Sequence, residues 1–157
     1  MHIIKEMNHN KFKKNIDFRS VNKLDLDLLI QLYESRDKRQ NHQPRTYEEQ
    51  KNFVDLWVNN KEQHIYQYWY VICYEGNSIG TITTKKEENE WGIWILEEFR
   101  DKGLGVQAGI EFFKTHKKNR YCAYVFEYNK RSMKMCEKLG FVLESKDGNK
   151  FKFVKNN

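Results

Sequence analysis

A short glycine-containing segment, Arg100-Asp-Lys-Gly-Leu-Gly-Val106, lies between a predicted strand and a predicted helix. Glycines at 103 and 105 leave room for backbone amides to close around an anion, because glycine carries no Cβ. The helix that begins near Leu104 adds the positive end of its dipole, and Arg100 and Lys102 add charge. The segment therefore fits a diphosphate. The local pattern alone leaves an ordinary tight turn as the alternative.

Two common nucleotide-binding motifs are excluded by the same residues. No Gly-Lys-Ser/Thr follows the glycines, so the segment is not a P-loop. The third glycine and the downstream ribose-binding acid of a dinucleotide fingerprint are also missing. We therefore do not expect a nucleoside triphosphate or NAD at this loop.

The segment resembles motif A of the GNAT superfamily of N-acetyltransferases, in which a strand, an R/Q-x-x-G-x-G/A loop and a helix bind the coenzyme A pyrophosphate. Residues 90–100, Glu-Trp-Gly-Ile-Trp-Ile-Leu-Glu-Glu-Phe-Arg, look like the fourth strand of that family and its approach to the loop. Residues 129–141, Asn-Lys-Arg-Ser-Met-Lys-Met-Cys-Glu-Lys-Leu-Gly-Phe, resemble its motif B, N-x-x-A/S-x-x-x-Y-E-K-L-G-F. Arg36-Asp37 and Thr46-Tyr-Glu-Glu49 look most like the subgroup of ribosomal-protein N-terminal and amino-sugar-nucleotide acetyltransferases.

The resemblance implies an α+β fold, the GNAT fold. Its central sheet is mixed, mostly antiparallel and twisted, with about 6 to 7 strands flanked by about 4 helices. It also implies an enzyme that moves the acetyl group of acetyl-CoA to a primary amine by direct attack in a ternary complex, without a metal. The fourth and fifth strands should splay apart to admit the thioester. The implied coenzyme contacts are Ile95, Leu96, Arg100, Asp101, Lys102, Gly103, Leu104, Gly105, Val106, Asn129 and Ser132.

The resemblance further implies catalytic roles for three residues. Glu90 lies where many relatives carry an acid on the fourth strand and would take the proton of the amine; a surface glutamate is the alternative. Cys136 stands where motif B has the tyrosine that protonates the leaving thiolate. A thiol could donate that proton, Tyr124 or Tyr128 could replace it, and Cys136 could be a packed side chain instead. Asn129 could also cap its helix.

The acceptor is described less directly by the sequence. Arg36 and His42 are the candidate contacts to the acceptor, which the subgroup resemblance suggests is an amino group on a nucleotide-linked sugar. A protein or peptide N-terminus is the alternative acceptor, because the two enzyme classes share every coenzyme-side feature. A non-catalytic acyl-CoA-binding module is the third hypothesis, motivated by Cys136 at the tyrosine position.

The composition is that of one folded domain. The chain has 157 residues, 39% of them hydrophobic and 15% aromatic, which is enough for a single core spanning residues 1–157. The net charge of +6 suits an anionic ligand. The lysines of the chain follow no known nucleic-acid-binding motif, so we do not expect a nucleic-acid partner. Cys73, Cys122 and Cys136 have no metal-binding spacing. With no apolar leader or membrane-spanning run, the predicted location is the cytoplasm.

The elements that must position these residues follow from periodicity. The pattern predicts a strand at 16–21, helices from Leu24 and Thr46, and a three-strand meander over 65–96. These are followed by a helix over 104–117, a strand over 121–128, a helix over 130–139 and a closing hairpin of 141–143 and 151–154. Residues 1–14 are expected to form an edge strand or a loose arm. An exposed edge in the closing hairpin would favour a homodimer.

Overall fold

Seven strands form two sheets in the computed structural model, which describes residues 15–36 and 45–157. The first sheet is antiparallel in the order β1-β2-β3-β4, and the second is antiparallel in the order β5-β7-β6. The strands are β1 (Ile16–Ser20), β2 (Tyr66–Tyr74), β3 (Asn77–Lys85), β4 (Trp91–Ile95), β5 (Arg120–Phe126), β6 (Val142–Asp147) and β7 (Lys150–Asn156). One parallel bridge, between Glu90 and Cys122, joins the two sheets.

Within the described ranges, four α-helices cover these sheets: α1 (Leu26–Glu34), α2 (Tyr47–Asn59), α3 (Leu104–Thr115) and α4 (Lys130–Lys138). Local side chains fix most of the helix starts. Thr46 and Glu49 form a reciprocal capping box at α2, and Asn129 accepts a hydrogen bond from the Ser132 amide at α4. Asn22 and Asp25 form a second box on the 3₁₀ turn that leads into α1.

Two apolar clusters hold the layers together, one on each face of the first sheet. Trp57 and Trp69 lie in the smaller cluster, where α1 and α2 pack on the sheet. Phe112 and Tyr121, each with no exposed surface, lie in the larger cluster, which joins α3 and α4 to both sheets. The order of layers is thus a helix pair, the sheets and a second helix pair.

The predicted element order and the α+β fold class are confirmed. The closing hairpin is longer than the apolar pattern indicated, because pairing continues to Asp147 and Lys150 around a turn in which Gly148 takes a φ of 61°. Helix α3 ends at Thr115, two residues before its predicted end. The predictions for residues 1–14 and for His42 lie outside the described residues.

Candidate functional site

A cleft opens between β4 and β5. The two strands are bridged at Glu90 and Cys122, and within the described residues no other bridge joins them. The edge of β4 beyond this point is not paired with a strand, and an unpaired edge can accept an extended ligand as if it were another strand. The carbonyl of Ile95 accepts a hydrogen bond from Arg100 Nε at 2.9 Å, whereas the Leu96 amide donates to Ile79 in β3 at 2.8 Å.

The glycine loop leads directly from this edge into α3. Gly103 is the N-cap in a left-handed conformation with a φ of 74°, and no side chain caps the helix. The first intrahelical bond joins the Gln107 amide to the Gly103 carbonyl at 3.1 Å, and the first turn contains no acidic residue. Because the first amides of a helix have no partner within it, this terminus can receive an anion.

Helix α4 packs against the same loop. Arg131 binds Asp101 with 3.1 Å between Nη2 and Oδ2. A Cβ built on Gly105 would lie 3.2 Å from the Met135 side chain, so this glycine permits the close approach of α3 and α4. The Asn129 and Ser132 pair that caps α4 lies one helical turn before Met135. The structure therefore brings the predicted coenzyme contacts of both motifs to one end of the cleft.

Glu90 lies at the closed end of the cleft, where the two sheets meet. Its carboxylate is 3.4 Å from Lys85 Nζ and its side chain is 30% exposed. Cys122 lies opposite on β5, and burial, reinforced by the negative charges of Glu88 and Glu90, raises the pKa of its thiol to about 11. Glu90 is therefore accessible to solvent and close to the point where β4 and β5 separate.

Tyr124 lies on β5 beside the cleft and belongs to a small polar cluster. Its hydroxyl donates to Glu88 at 2.8 Å, and Lys152 donates to the other oxygen of that carboxylate at 3.0 Å. The hydrogen bond to Glu88 is the main cause that raises the pKa of Tyr124. The phenol is consequently held in its protonated form, which is the form that can donate a proton.

Cys136 is far less accessible than a residue that exchanges protons with a ligand would be. It is 4% exposed and belongs to the larger apolar cluster with Leu139 and Phe141. Burial raises the pKa of its thiol to about 12. At this position the chain has a small packed side chain, which is one of the roles that free cysteine commonly takes.

A groove that is open to solvent lies on the opposite face of the first sheet, under α1 and α2. Arg36, predicted from sequence, lines it together with Arg45 and Trp94, which sequence reasoning missed. Trp94 follows Glu90 by four residues, and because successive strand residues point to opposite faces, these two face the same side of the sheet. This two-residue period could have predicted from the sequence that Trp94 shares a face with Glu90. Arg45 could not be placed in this way, because its position in the groove depends on how α2 packs on the sheet.

No group of three or more histidine, cysteine, aspartate or glutamate side chains in residues 15–36 and 45–157 is arranged to hold a metal ion. None of the helices in those ranges is long and apolar enough to span a membrane.

Comparison with known proteins adds both a family and a fold. Residues 15–142 match the model of the acetyltransferase (GNAT) domain. Compared by sequence with curated proteins, the chain has no match. Among solved structures, PaiA N-acetyltransferase from Thermoplasma acidophilum in complex with coenzyme A is similar at 20% identity and a TM-score of 0.70, over 91% of this chain and 99% of that one.

Two further solved structures share the fold. The ribosomal L7/L12 α-N-protein acetyltransferase RimL has a TM-score of 0.70 at 16% identity, over 90% of each chain. The microcin C7 self-immunity acetyltransferase MccE, in complex with acetyl-CoA and AMP, has a TM-score of 0.71 at 14% identity, over 90% of this chain and 92% of that one. At these identities the likeness supports the fold alone. The matched family model covers most of the chain, which therefore belongs to the GNAT family and is an acetyl-CoA-dependent acetyltransferase.

Proposed function

We propose that the chain transfers the acetyl group of acetyl-CoA to a primary amine by direct attack in a ternary complex. The coenzyme supplies the activated acetyl group, and the protein orients the two substrates and moves protons. The observation that carries this proposal is the uncapped N-terminus of α3, with Gly103 in the left-handed conformation, next to the open edge of β4.

The residues of the two motifs fit the coenzyme. Amides of the loop from Arg100 to Val106 would hold the pyrophosphate, and Asp101 would act indirectly through its ion pair with Arg131. The unpaired edge of β4 would bind the pantetheine arm at Ile95 and Leu96. Their carbonyls accept hydrogen bonds from Arg100 Nε and the Phe99 amide, and each carbonyl oxygen has a second lone pair for the ligand. Asn129 and Ser132 would form the far wall of the cleft, at the start of α4.

Glu90 is the proposed general base and Tyr124 the proposed general acid. Glu90 is partly exposed at the closed end of the cleft, so it can take the proton of the attacking ammonium directly or through water. Tyr124 keeps its proton because of its bond to Glu88 and lies on the strand that borders the cleft. Cys136 is buried among apolar side chains, and this environment argues against its role as the proton donor to the thiolate.

For the acceptor we propose an amino group on a nucleotide-linked sugar. This choice is supported by the net charge of +6 and by the arginine-lined groove on the face of the sheet that also carries Glu90. The fold shared with RimL, a ribosomal L7/L12 α-N-protein acetyltransferase, keeps a peptide N-terminus as the second candidate. Both acceptors would enter on the face that carries Glu90 and Trp94.

The acceptor class is tested by measuring coenzyme A release with matched sets of amines. The purified chain is mixed with acetyl-CoA and either nucleotide-linked amino sugars or a library of short peptides, and acetylated products are identified by mass spectrometry. Transfer to the sugars supports the proposed acceptor. Transfer to peptides alone contradicts the sugar proposal, and tight acetyl-CoA binding without transfer to any amine supports a non-catalytic module.

The remaining expectations about the chain stay proposals. The chain is proposed to act as one domain in the cytoplasm, where its three free thiols would remain reduced. Strand β6 is an edge strand with Val142 61% exposed and Leu143 45% exposed, and this edge is the proposed contact of a homodimer.

A further inference from the structure

Among the described residues, the side chains that line the groove under α1 and α2 include two guanidinium groups and no carboxylate. The residues that line it are Leu29, Leu32, Tyr33, Arg36, Arg45, Gln50, Tyr66, Trp69, Thr81, Thr83 and Trp94. None of these described lining residues is acidic. Charges removed from water are normally paired. The described lining therefore carries a net positive charge that an anionic ligand can neutralise.

Arg36 is held flat between aromatic rings at one side of the groove. Its guanidinium carbon lies 4.1 Å from the centre of the Tyr33 ring and 4.4 Å from that of Trp94. The Nε atom is buried, and no described residue accepts a hydrogen bond from it. Burial is the largest cause that lowers the pKa of Arg36, and the positive charge of Arg45 acts in the same direction. The guanidinium is therefore oriented by stacking and retains an unused donor.

Arg45 lies close to Arg36 at the start of α2. Its guanidinium carbon is 3.9 Å from the centre of the Phe53 ring and 5.6 Å from that of Tyr33, the ring on which Arg36 also stacks. Nη1 donates to Gln50 at 3.3 Å. Two like charges that share one aromatic ring repel each other, so an anion between them would remove an unfavourable interaction as well as gain two favourable ones.

We propose that Arg36 and Arg45 bind a phosphoryl group of the acceptor and thereby select phosphorylated amines. This inference rests on the acetyl transfer proposed above and specifies the class of its acceptor. Two guanidinium forks match the multiple oxygens and the charge of a phosphate better than the single charge of a carboxylate. The same surplus of positive charge repels polyamines and other purely cationic acceptors.

The position of the groove relative to Glu90 is consistent with one ligand that reaches both. Glu90, Gly92 and Trp94 share a face of β4, and the Trp94 ring lies across Gly92, where an added Cβ would be 2.9 Å from the indole. Glu90 and Trp94 are separated by four residues, or about 13 Å along an extended strand.

The binding test uses the full chain saturated with coenzyme A, so that the glycine loop is already occupied. Inorganic pyrophosphate is titrated into this complex by calorimetry, for the wild type and for Arg36→Met, Arg45→Met and Lys51→Met. Lys51 is an exposed cation on α2 and controls for overall charge. We expect each arginine variant to weaken pyrophosphate binding by about tenfold or more, and the Lys51 variant to change it by less than about twofold.

Melting temperatures and acetyl-CoA affinities of the variants show whether they remain folded, and Arg36→Lys provides a milder change that keeps the charge. The inference is overturned if wild type saturated with coenzyme A does not bind pyrophosphate. It is equally overturned if folded arginine variants bind pyrophosphate as the wild type does.

A kinetic comparison separates this inference from the proposed function. Glucosamine and glucosamine 6-phosphate are compared as acceptors, and we expect the phosphate to raise kcat/KM in the wild type but not in Arg36→Met. Equal transfer to both amines by the wild type contradicts the phosphoryl site and leaves acetyl transfer standing. Pyrophosphate binding that requires both arginines, without transfer to any amine, supports the phosphoryl site and contradicts the proposed function.

Discussion

At the scale of single residues, Glu90 is the group whose chemistry is most directly testable. It is partly exposed and paired only loosely with Lys85, as a base that must exchange protons with solvent requires. Its neighbours in the acidic run, Glu87 and Glu88, differ from it in position, since Glu87 is exposed and Glu88 binds Tyr124 and Lys152. The three glutamates of this turn can therefore be substituted separately to distinguish their roles.

Glu90→Gln should lower kcat by about 100-fold, because a positioned general base contributes on that scale, while acetyl-CoA affinity stays unchanged. Initial rates of coenzyme A release measure kcat, and a calorimetric titration measures the affinity for acetyl-CoA. Glu87→Gln is the matched control and should keep the wild-type rate. A Glu90→Gln enzyme with nearly full turnover would show that the base lies elsewhere.

The proton donor is tested by a pair of substitutions with opposite expected effects. Tyr124→Phe should lower kcat by about tenfold or more and leave stability nearly unchanged, since the side chain is half-buried and only its hydroxyl is lost. Cys136→Ala should keep kcat and lower the free energy of unfolding by about 1 kcal/mol, because it leaves a small cavity in the core. The reverse pattern would assign the proton to Cys136.

At the scale of elements, the loop and α3 act as one unit with α4. Gly103 requires its left-handed φ, so any substitution there strains the loop whatever it does to the ligand. Gly105 has no such requirement. The flexible Met135 side chain is the nearest group to its Cβ position, at 3.2 Å, and Ile95 lies at an ordinary contact distance of 3.8 Å. Gly105 is therefore the cleaner position at which to test the anion site.

Gly105→Val should raise the Kd for acetyl-CoA by about tenfold or more, because the new side chain displaces Met135 and adds bulk beside the loop, which narrows access to the amides. Calorimetry measures the Kd. Gln107→Val introduces the same β-branched side chain elsewhere on the first turns of this helix and should retain acetyl-CoA affinity. Unchanged affinity in Gly105→Val would contradict the coenzyme loop.

Gly109 keeps α3 and α4 at a short distance, since an added Cβ would lie 2.7 Å from the Leu139 side chain. Gly109→Ala should therefore lower the free energy of unfolding by about 1 to 3 kcal/mol, the range for overpacked sites, despite the better helix propensity of alanine. Urea denaturation measures the change. A stabilised variant would indicate that Leu139 moves aside without cost.

At the scale of the whole molecule, the buried thiols make stability depend on alkaline pH. The folded chain raises the pKa of Cys136 from its ordinary value of 9.0 to about 12, so between these values the unfolded state releases a proton that the folded state keeps. Stability is full below pH 9.0 and falls as the pH rises toward about 12. Cys122 acts in the same direction up to about pH 11.

Urea denaturation of the wild type and Cys136→Ala at several values above pH 9.0 isolates this effect. The stability advantage of the wild type should narrow by roughly 1 kcal/mol per pH unit, since only the wild type has this thiol to ionise on unfolding. An advantage that is constant over this range would show that Cys136 ionises as readily in the folded state as in the unfolded state.

How much the sequence can predict depends on whether a feature is local. The element order, the capping boxes and the glycine loop follow from neighbouring residues. Capping by Asn129 is likewise local, and it is one of the two roles that the sequence indicates for this residue, the other being contact with the coenzyme. The pairing of Arg36 and Arg45 over one tyrosine depends on how α1 and α2 pack on the sheet. No periodicity in the sequence encodes that packing, so the groove emerged only from the structure.

The central claim, that an amine attacks acetyl-CoA bound in the cleft between β4 and β5, is tested most directly by initial rates of coenzyme A release with both substrates varied. Direct attack in a ternary complex predicts release that requires the amine and double-reciprocal plots that intersect. Release independent of the amine, or parallel plots with an acetylated enzyme detected by mass spectrometry, would contradict the account.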